Sequence, residues 1–329
     1  MAGGRAWLGR RDFGTAPHPE GLTERYRPPA GSIGILLALA VIWGGSIPVT
    51  KLGLRDVPPL TLTALRYAVA APWFALLIAR GPLPPARVVL NAGALGVLGI
   101  GVGQVAQTLG VRAIPASVAT VISSLIPILV VAFARVRFRQ PLRGRQAAAL
   151  ALAFVGVALV AGGDPRDLVA SGRSTIAGEG LMLISAVAVA LYYVLGIGLV
   201  PAGSVLTIAA LSSLAGAGAL IPVAAWELQH AAVRLTGQSA FAVLYLALLV
   251  TVVGLLVWFT ALTQLPASVA AVLQYLQPVV GVAASWALFG DPIGGRFVAG
   301  AGLVLLGVAL GTTGRLDDAR SSRADTRAD

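Results

Sequence analysis

Charge is scarce in this sequence. Of its 329 residues only 11% are Asp, Glu, Lys or Arg, 57% are hydrophobic, and the mean hydropathy is +0.87. A soluble domain carries about a quarter charged residues, so this chain has too few to cover a water-facing surface and reads as an integral membrane protein. Cysteine is absent, which excludes a disulfide framework or a thiolate metal site. Only two histidines occur, His18 and His230, both outside the apolar runs, so no imidazole metal centre is expected. All 13 acidic residues fall in tails, in loops or at the ends of apolar runs, with Glu179, Glu227 and Asp291 nearest the membrane. Carriers coupled to protons or sodium often hold a carboxylate at depth; coupling through such an acid is not expected here. Paired carboxylates or a His–acid pair at depth are also missing, and with them the constellation an intramembrane enzyme would need.

The net charge of +11 invites a nucleic-acid reading, but the arginines cluster in short segments between apolar runs, as in the cytoplasmic loops of membrane proteins. Nucleic acid is therefore not an expected partner. A stretch Gly101-Val-Gly103-Gln-Val-Ala106 matches a dinucleotide-binding pattern. It lies inside an apolar helical run with no strand before it, so no cofactor is expected.

What the chain does have is an internal repeat. Pro-Ala-Ser-Val-Ala occurs at Pro115–Ala119 and again at Pro266–Ala270, 151 residues later. At the same offset Pro127 matches Pro278, Pro141 matches Pro292, Gly144 matches Gly295, Arg145 matches Arg296 and Gly156 matches Gly307. The chain reads as two copies of one unit, 31–163 and 176–314, flanked by polar cytoplasmic tails at 1–30 and 315–329.

Ten apolar runs can be marked, near 32–50, 59–79, 88–111, 115–134, 146–162, 178–199, 204–225, 240–262, 267–289 and 295–313. Their length and lack of alternation favour membrane helices over barrel strands. With the N-terminus inside, the cytoplasmic segments hold 16 basic residues and the outer segments seven, Arg66 lying within a run. The positive-inside rule then places both termini in the cytoplasm. Five spans per copy is an odd number, so the second copy runs through the membrane in the opposite sense. The expected fold is all-α, ten transmembrane helices arranged as two inverted five-helix repeats, as in many secondary transporters.

The ordered motifs add a family. Trp43-Gly44-Gly45 in the first run, Lys51 at its end, Pro58-Pro59 after it, Arg66 in the second run, and the two Pro-Ala-Ser-Val-Ala segments leading to Pro127 and Pro278 resemble the drug/metabolite transporter superfamily, in its EamA-type ten-helix branch. The resemblance covers about 30–313. One departure stands out. Such repeats often carry Phe-x-Gly-Glu after their fourth span, and here the copies read Phe138-Arg139-Gln140 and Phe289-Gly290-Asp291. The resemblance implies a bacterial plasma-membrane carrier of small solutes, and it alone implies export.

Intramembrane polar residues are costly and therefore functional candidates. Gln104, Gln107, Thr108 and Arg112 share one face of the third run, and Gln274, Gln277, Gly281 and Ser285 one face of the ninth. Trp258 is the repeat-equivalent of Gln107, and Trp43 and Tyr192-Tyr193 open the two copies. The expected solute-binding set is Trp43, Gln104, Gln107, Tyr193, Trp258, Gln274 and Gln277, suited to a zwitterionic or aromatic metabolite. The competing reading for each is a helix–helix hydrogen bond. Lys51, the only lysine, and Arg66 are the charged candidates. Arg66 either snorkels to structural partners or holds the solute's carboxylate or phosphate. Pro127 and Pro278 are candidate hinges, with static kinks as the alternative. The expected partners are a small solute and the lipid bilayer; the sequence leaves the oligomeric state open. Alternatives to a metabolite or drug exporter are a nucleotide-sugar or phosphate-ester carrier and a non-transporting membrane partner.

Overall fold

The computed structural model describes residues 30–137, 173–199, 204–258, 276–291, 293–307 and 309–310, with short pieces between 144 and 159. The two tails, most of the run expected at 146–162, and residues 259–275, which include Gln274 and the second Pro-Ala-Ser-Val-Ala, lie outside the described residues. Among the described residues the regular elements are all helical. Six helical stretches are long and apolar enough to cross a membrane: Gly34–Gly53, Pro59–Ala79, Ala86–Ala113, Ile176–Gly196, Val205–Leu228 and Gly237–Trp258. Each has about 20 residues or more, the length that spans roughly 30 Å of hydrocarbon.

In chain order the helices are α1 (Ala30–Gly44) and α2 (Ser46–Gly53), α3 (Pro59–Ala79), then α4 (Ala86–Gly96) continuing through a π-helical segment, π1 (Val97–Gln104), into α5 (Val105–Ala113). They are followed by α6 (Ala116–Ser123), α7 (Ile126–Arg137), α8 (Arg173–Ile197), α9 (Val205–Leu228) and α10 (Gly237–Leu244). The last runs into a second π-helical segment, π2 (Tyr245–Val253). Two shorter helices are α11 (Leu276–Phe289) and α12 (Gly295–Gly307).

The runs expected at 32–50 and 115–134 are each two helices. One breaks at Gly45, the other at Ser124–Leu125. Both breaks begin three residues before a proline. Pro48 and Pro127 lack the N–H that would close on the carbonyl four residues back, Gly44 or Ser123, so the ladder fails there. Pro127 is thus the second residue of α7, where a missing donor is tolerated. Pro278 is the third residue of α11.

Helix ends that belong on one side of the membrane touch. The start of α3 meets the end of α9 through Thr61 and Glu227. The end of α2 meets the end of α5 through Lys51. Asp56, after α2, meets Thr236, before α10. At the opposite end Arg80 and Pro85, flanking the turn after α3, line one pocket with Ser204, just before α9, and Thr207 of α9. The α3 and α9 helices therefore run antiparallel, with Ala70 and Phe74 packed on Ala210 and Tyr67 clustered with Leu220.

Close helix approach depends on small residues. A Cβ at Gly96 would overlap the carbonyl oxygen of Ser212 on α9, and one at Gly99 would lie 2.6 Å from the Tyr192 ring of α8. The two π segments also correspond. Moved back by the 151-residue repeat offset, π2 covers 94–102 and overlaps π1 over 97–102.

Candidate functional site

The π segments position the site. A π turn widens the helix and leaves its backbone and side chains at angles an α-helix does not offer. On π2, two consecutive residues take partners from two other spans. The Val250 carbonyl accepts a hydrogen bond from Trp43 Nε1 at 3.0 Å. The Thr251 hydroxyl accepts from Arg66 Nε at 2.8 Å and itself donates to the Leu246 carbonyl, five residues back, at 2.7 Å. Arg66 also donates from Nη1 to Gln104 Oε1 at 3.0 Å, and Gln104 is the last residue of π1. Arg66 on α3 thus spans the gap between the two π segments, one from each half of the chain.

Around that guanidinium the wall is aromatic. Its carbon lies 5.4 Å from the Tyr67 ring centre. Tyr193, 41% exposed, pairs with Tyr192 at 5.5 Å between ring centroids. Behind Gln104 a short hydroxyl chain fixes α3 to α5: Thr63 Oγ1 donates to Thr108 Oγ1 at 2.9 Å, and Thr108 donates to the Gln104 carbonyl at 2.9 Å.

Trp43-Gly44-Gly45 turns out to be a three-way contact. Trp43 reaches π2, and its ring packs on Trp258 at 5.7 Å with the planes tilted 50°. A Cβ at Gly44 would lie 2.8 Å from the Gln277 carbonyl oxygen and from Val280 Cβ on α11, and one at Gly45 would lie 2.8 Å from the Tyr245 hydroxyl. That hydroxyl donates to the Ile42 carbonyl at 2.7 Å. Gly254 matters for the same reason, since a Cβ there would overlap the Trp43 indole nitrogen. These small residues let the first span lie against π2 and α11 at once.

Lys51 sits elsewhere. Its Nζ donates to the carbonyls of Val111, Arg112 and Ile114 at 2.8, 3.2 and 2.7 Å. Those are carbonyls at the end of α5 that have no partner within their own helix, and a cation is favoured at that end of the helix dipole. All three ammonium protons are used, so Lys51 clamps a helix end. Two acids do the converse job. Glu227, only 8% exposed, accepts from the Leu60 and Thr61 N–H groups at 3.2 and 2.7 Å and from Thr61 Oγ1 at 2.8 Å. Asp291, from the departing Phe-Gly-Asp motif, accepts from the N–H and hydroxyl of Ser117 at the start of α6.

Of the expected set, Arg66 and Gln104 are bonded directly and Trp43 and Trp258 stack. Tyr193 pairs with Tyr192. Gln107 is half-buried on α5, and the Gln277 backbone abuts Gly44. Gln274 lies outside the described residues. Thr251, Thr63 and the caps Glu227 and Asp291 have roles that the sequence did not reveal.

Two segments, 31–162 and 176–313, each match the EamA-like transporter family. The chain belongs to the EamA-like transporter family. It is a multi-pass membrane transporter. Its relatives include an uncharacterized transporter of Archaeoglobus fulgidus, 30% identical over 84% of this chain and 97% of that one. The uncharacterized inner membrane transporter YedA of Escherichia coli K12 is 28% identical over 88% and 94%. A "Probable amino-acid metabolite efflux pump" of Salmonella typhimurium is 27% identical over 85% and 94%. A solved crystal structure shares the fold at a TM-score of 0.59 and 20% identity, over 86% of this chain and 96% of its own.

Proposed function

We propose that this EamA-like protein exports a small amino-acid-like or drug-like solute across a bacterial plasma membrane by alternating access. The observation that carries the reading is the meeting of spans at π2, where Trp43 and Arg66 are bonded by adjacent residues Val250 and Thr251. Polar and aromatic groups converge there from both halves, and a convergence of that kind at depth is the mark of a solute pathway. Relatives at 27–28% identity, each named "Probable amino-acid metabolite efflux pump", support the solute class.

In this reading Trp43, Gln104, Gln107, Tyr193, Trp258, Gln274 and Gln277 line the path, the two inverted five-helix units rock about it, and both termini face the cytoplasm. The spans bearing Pro127 and Pro278 supply the bending points. Lys51 holds a helix end and does not touch the solute. A phosphate-ester carrier would need several free cations, and Lys51 is already fully bonded.

The test is an export screen. Cells overexpressing the protein are challenged with amino acids, toxic amino-acid analogues and drug-like solutes, and resistance and extracellular accumulation are measured. Resistance to a subset that disappears in Trp43→Ala or Gln274→Ala supports the reading. Unchanged export kinetics in both variants would remove the site assignment, and no phenotype for any solute would remove the transport reading.

A further inference from the structure

We propose that Arg66 is the carboxylate anchor of this transporter, taking a solute with a single negative charge on the N–H donors that Thr251 and Gln104 leave uncommitted. The inference rests on the transport reading and names the class of its substrate.

Arg66 has no acidic partner among the described residues. Arg66 lies seven residues into α3, about 10 Å below the helix start at 1.5 Å per residue. A guanidinium is charged at every accessible pH and is costly at that depth unless it is paired. The sequence has no Asp or Glu between Asp56 and Asp164, and none between Glu227 and Asp291. The acids nearest the site along these helices are already committed at helix ends: Asp56 to Thr236, Glu227 to Thr61, and Asp291 to Ser117. Both described hydrogen-bond partners of Arg66 are neutral, a hydroxyl and an amide oxygen. They orient the guanidinium without cancelling its charge.

Among the described residues those two bonds use two of five N–H donors. The pattern suits a receptor. Two tethers from opposite halves hold the fork in place, and the remaining donors match the two oxygens of a carboxylate. One cation matches one charge. A phosphate ester carries about −1.5 to −2 and would call for a second cation, and the lysine is occupied at the end of α5. The Tyr67 ring steadies the guanidinium from one side at 5.4 Å, and Tyr193 offers an aromatic ring that is 41% exposed.

The test uses the full chain in lipid nanodiscs and follows its thermal midpoint. Leucine, phenylalanine and threonine are each titrated against their own carboxamides, in which the charge is removed and the shape kept; phenyl phosphate is a further probe. The expected result is that acids act at concentrations about ten- to a hundredfold below their amides, the worth of a charge-assisted contact. Arg66→Gln should erase that ratio, and Arg66→Lys should restore part of it. Loss of the tethers alone would weaken acids and amides together, so the ratio isolates the anchor from a structural role. An acid preference that survives in Arg66→Gln overturns the proposal. So does a wild-type preference for amides or phenyl phosphate, or a lack of response to all three acids. The export screen separates the two readings: export of amides or amines without acids leaves transport standing and the anchor refuted.

Discussion

Asp291 and Ser117 are 174 residues apart and joined twice: one carboxylate oxygen accepts from the Ser117 N–H at 2.9 Å and from its hydroxyl at 2.8 Å. The Phe-Gly-Asp end of α11 therefore caps the helix that Pro-Ala-Ser-Val-Ala begins. Two motifs that are distant in the chain are one device. Asp291→Ala should cost about 2 kcal/mol and Ser117→Ala about 1 kcal/mol, with the double variant close to Asp291→Ala alone, because the Ser117 hydroxyl acts only through that carboxylate. Thermal unfolding of the detergent-solubilised variants checks this, and additive losses would show that the two residues act separately.

Glu227 makes the same kind of bond in a more buried place. Glu227→Ala leaves the Leu60 and Thr61 N–H groups without their acceptor and should cost about 2–3 kcal/mol. Glu227→Gln keeps an acceptor oxygen and should cost about half as much. Equal midpoints for the two variants would mean that charge, and not the acceptor, is what α3 needs.

Lys51→Met should destabilise by roughly 1–3 kcal/mol, since three charge-assisted bonds to the end of α5 are lost while the aliphatic length is kept. Its apparent affinity for an exported solute should not change beyond about twofold, the spread expected of a residue with no solute contact. A tenfold change in affinity at unchanged stability would place Lys51 in the solute path.

Gly96 and Gly218 make a matched pair on α4 and α9. A Cβ at Gly96 overlaps the Ser212 backbone, and a Cβ at Gly218 meets nothing within 4 Å. Gly96→Ala should lose about 1–3 kcal/mol through forced separation of α4 from α9. Gly218→Ala should be neutral or gain up to about 1 kcal/mol from helix propensity. Similar midpoints would mean that α4 and α9 can part without cost.

Trp43→Phe removes the N–H that reaches Val250 and keeps an aromatic ring against Trp258. It should cost about 1 kcal/mol, much less than Trp43→Ala, which also opens a void of ring size.

Much of this was legible in the residues. Scarce charge and long apolar runs gave a helical membrane protein, and the order of motifs from Trp43 to Pro127 gave the family. The site was legible only in part. Arg66 and Gln104 were marked because charge and amide are conspicuous in an apolar run. Thr251 was not, because a threonine is inconspicuous there and its repeat-equivalent is Ile100; Arg66 and Gln104 likewise face Ala217 and Leu255 in the other copy. A search guided by symmetry passes over a site built from positions where the copies differ. The break at Ser124 was signalled by Pro127, a candidate hinge or kink, whereas the one at Gly45 was hidden because hydropathy runs straight through it. Sequence did not show the pairing of Asp291 with Ser117 either, since nothing local tells a helix end which distant acid will serve it.

The π segments have a mechanical consequence. In a stretch that mixes five-back and four-back bonding, the boundary can shift by one residue at the exchange of one backbone hydrogen bond for another. No bond is lost on balance, and the helix beyond the boundary turns about its axis. For π1 that rotation would carry Gln104, and for π2 it would carry Thr251, the two side chains that hold Arg66. Each such shift would move one of those side chains relative to Arg66, so a guanidinium within an apolar span could be let go without a helix coming undone.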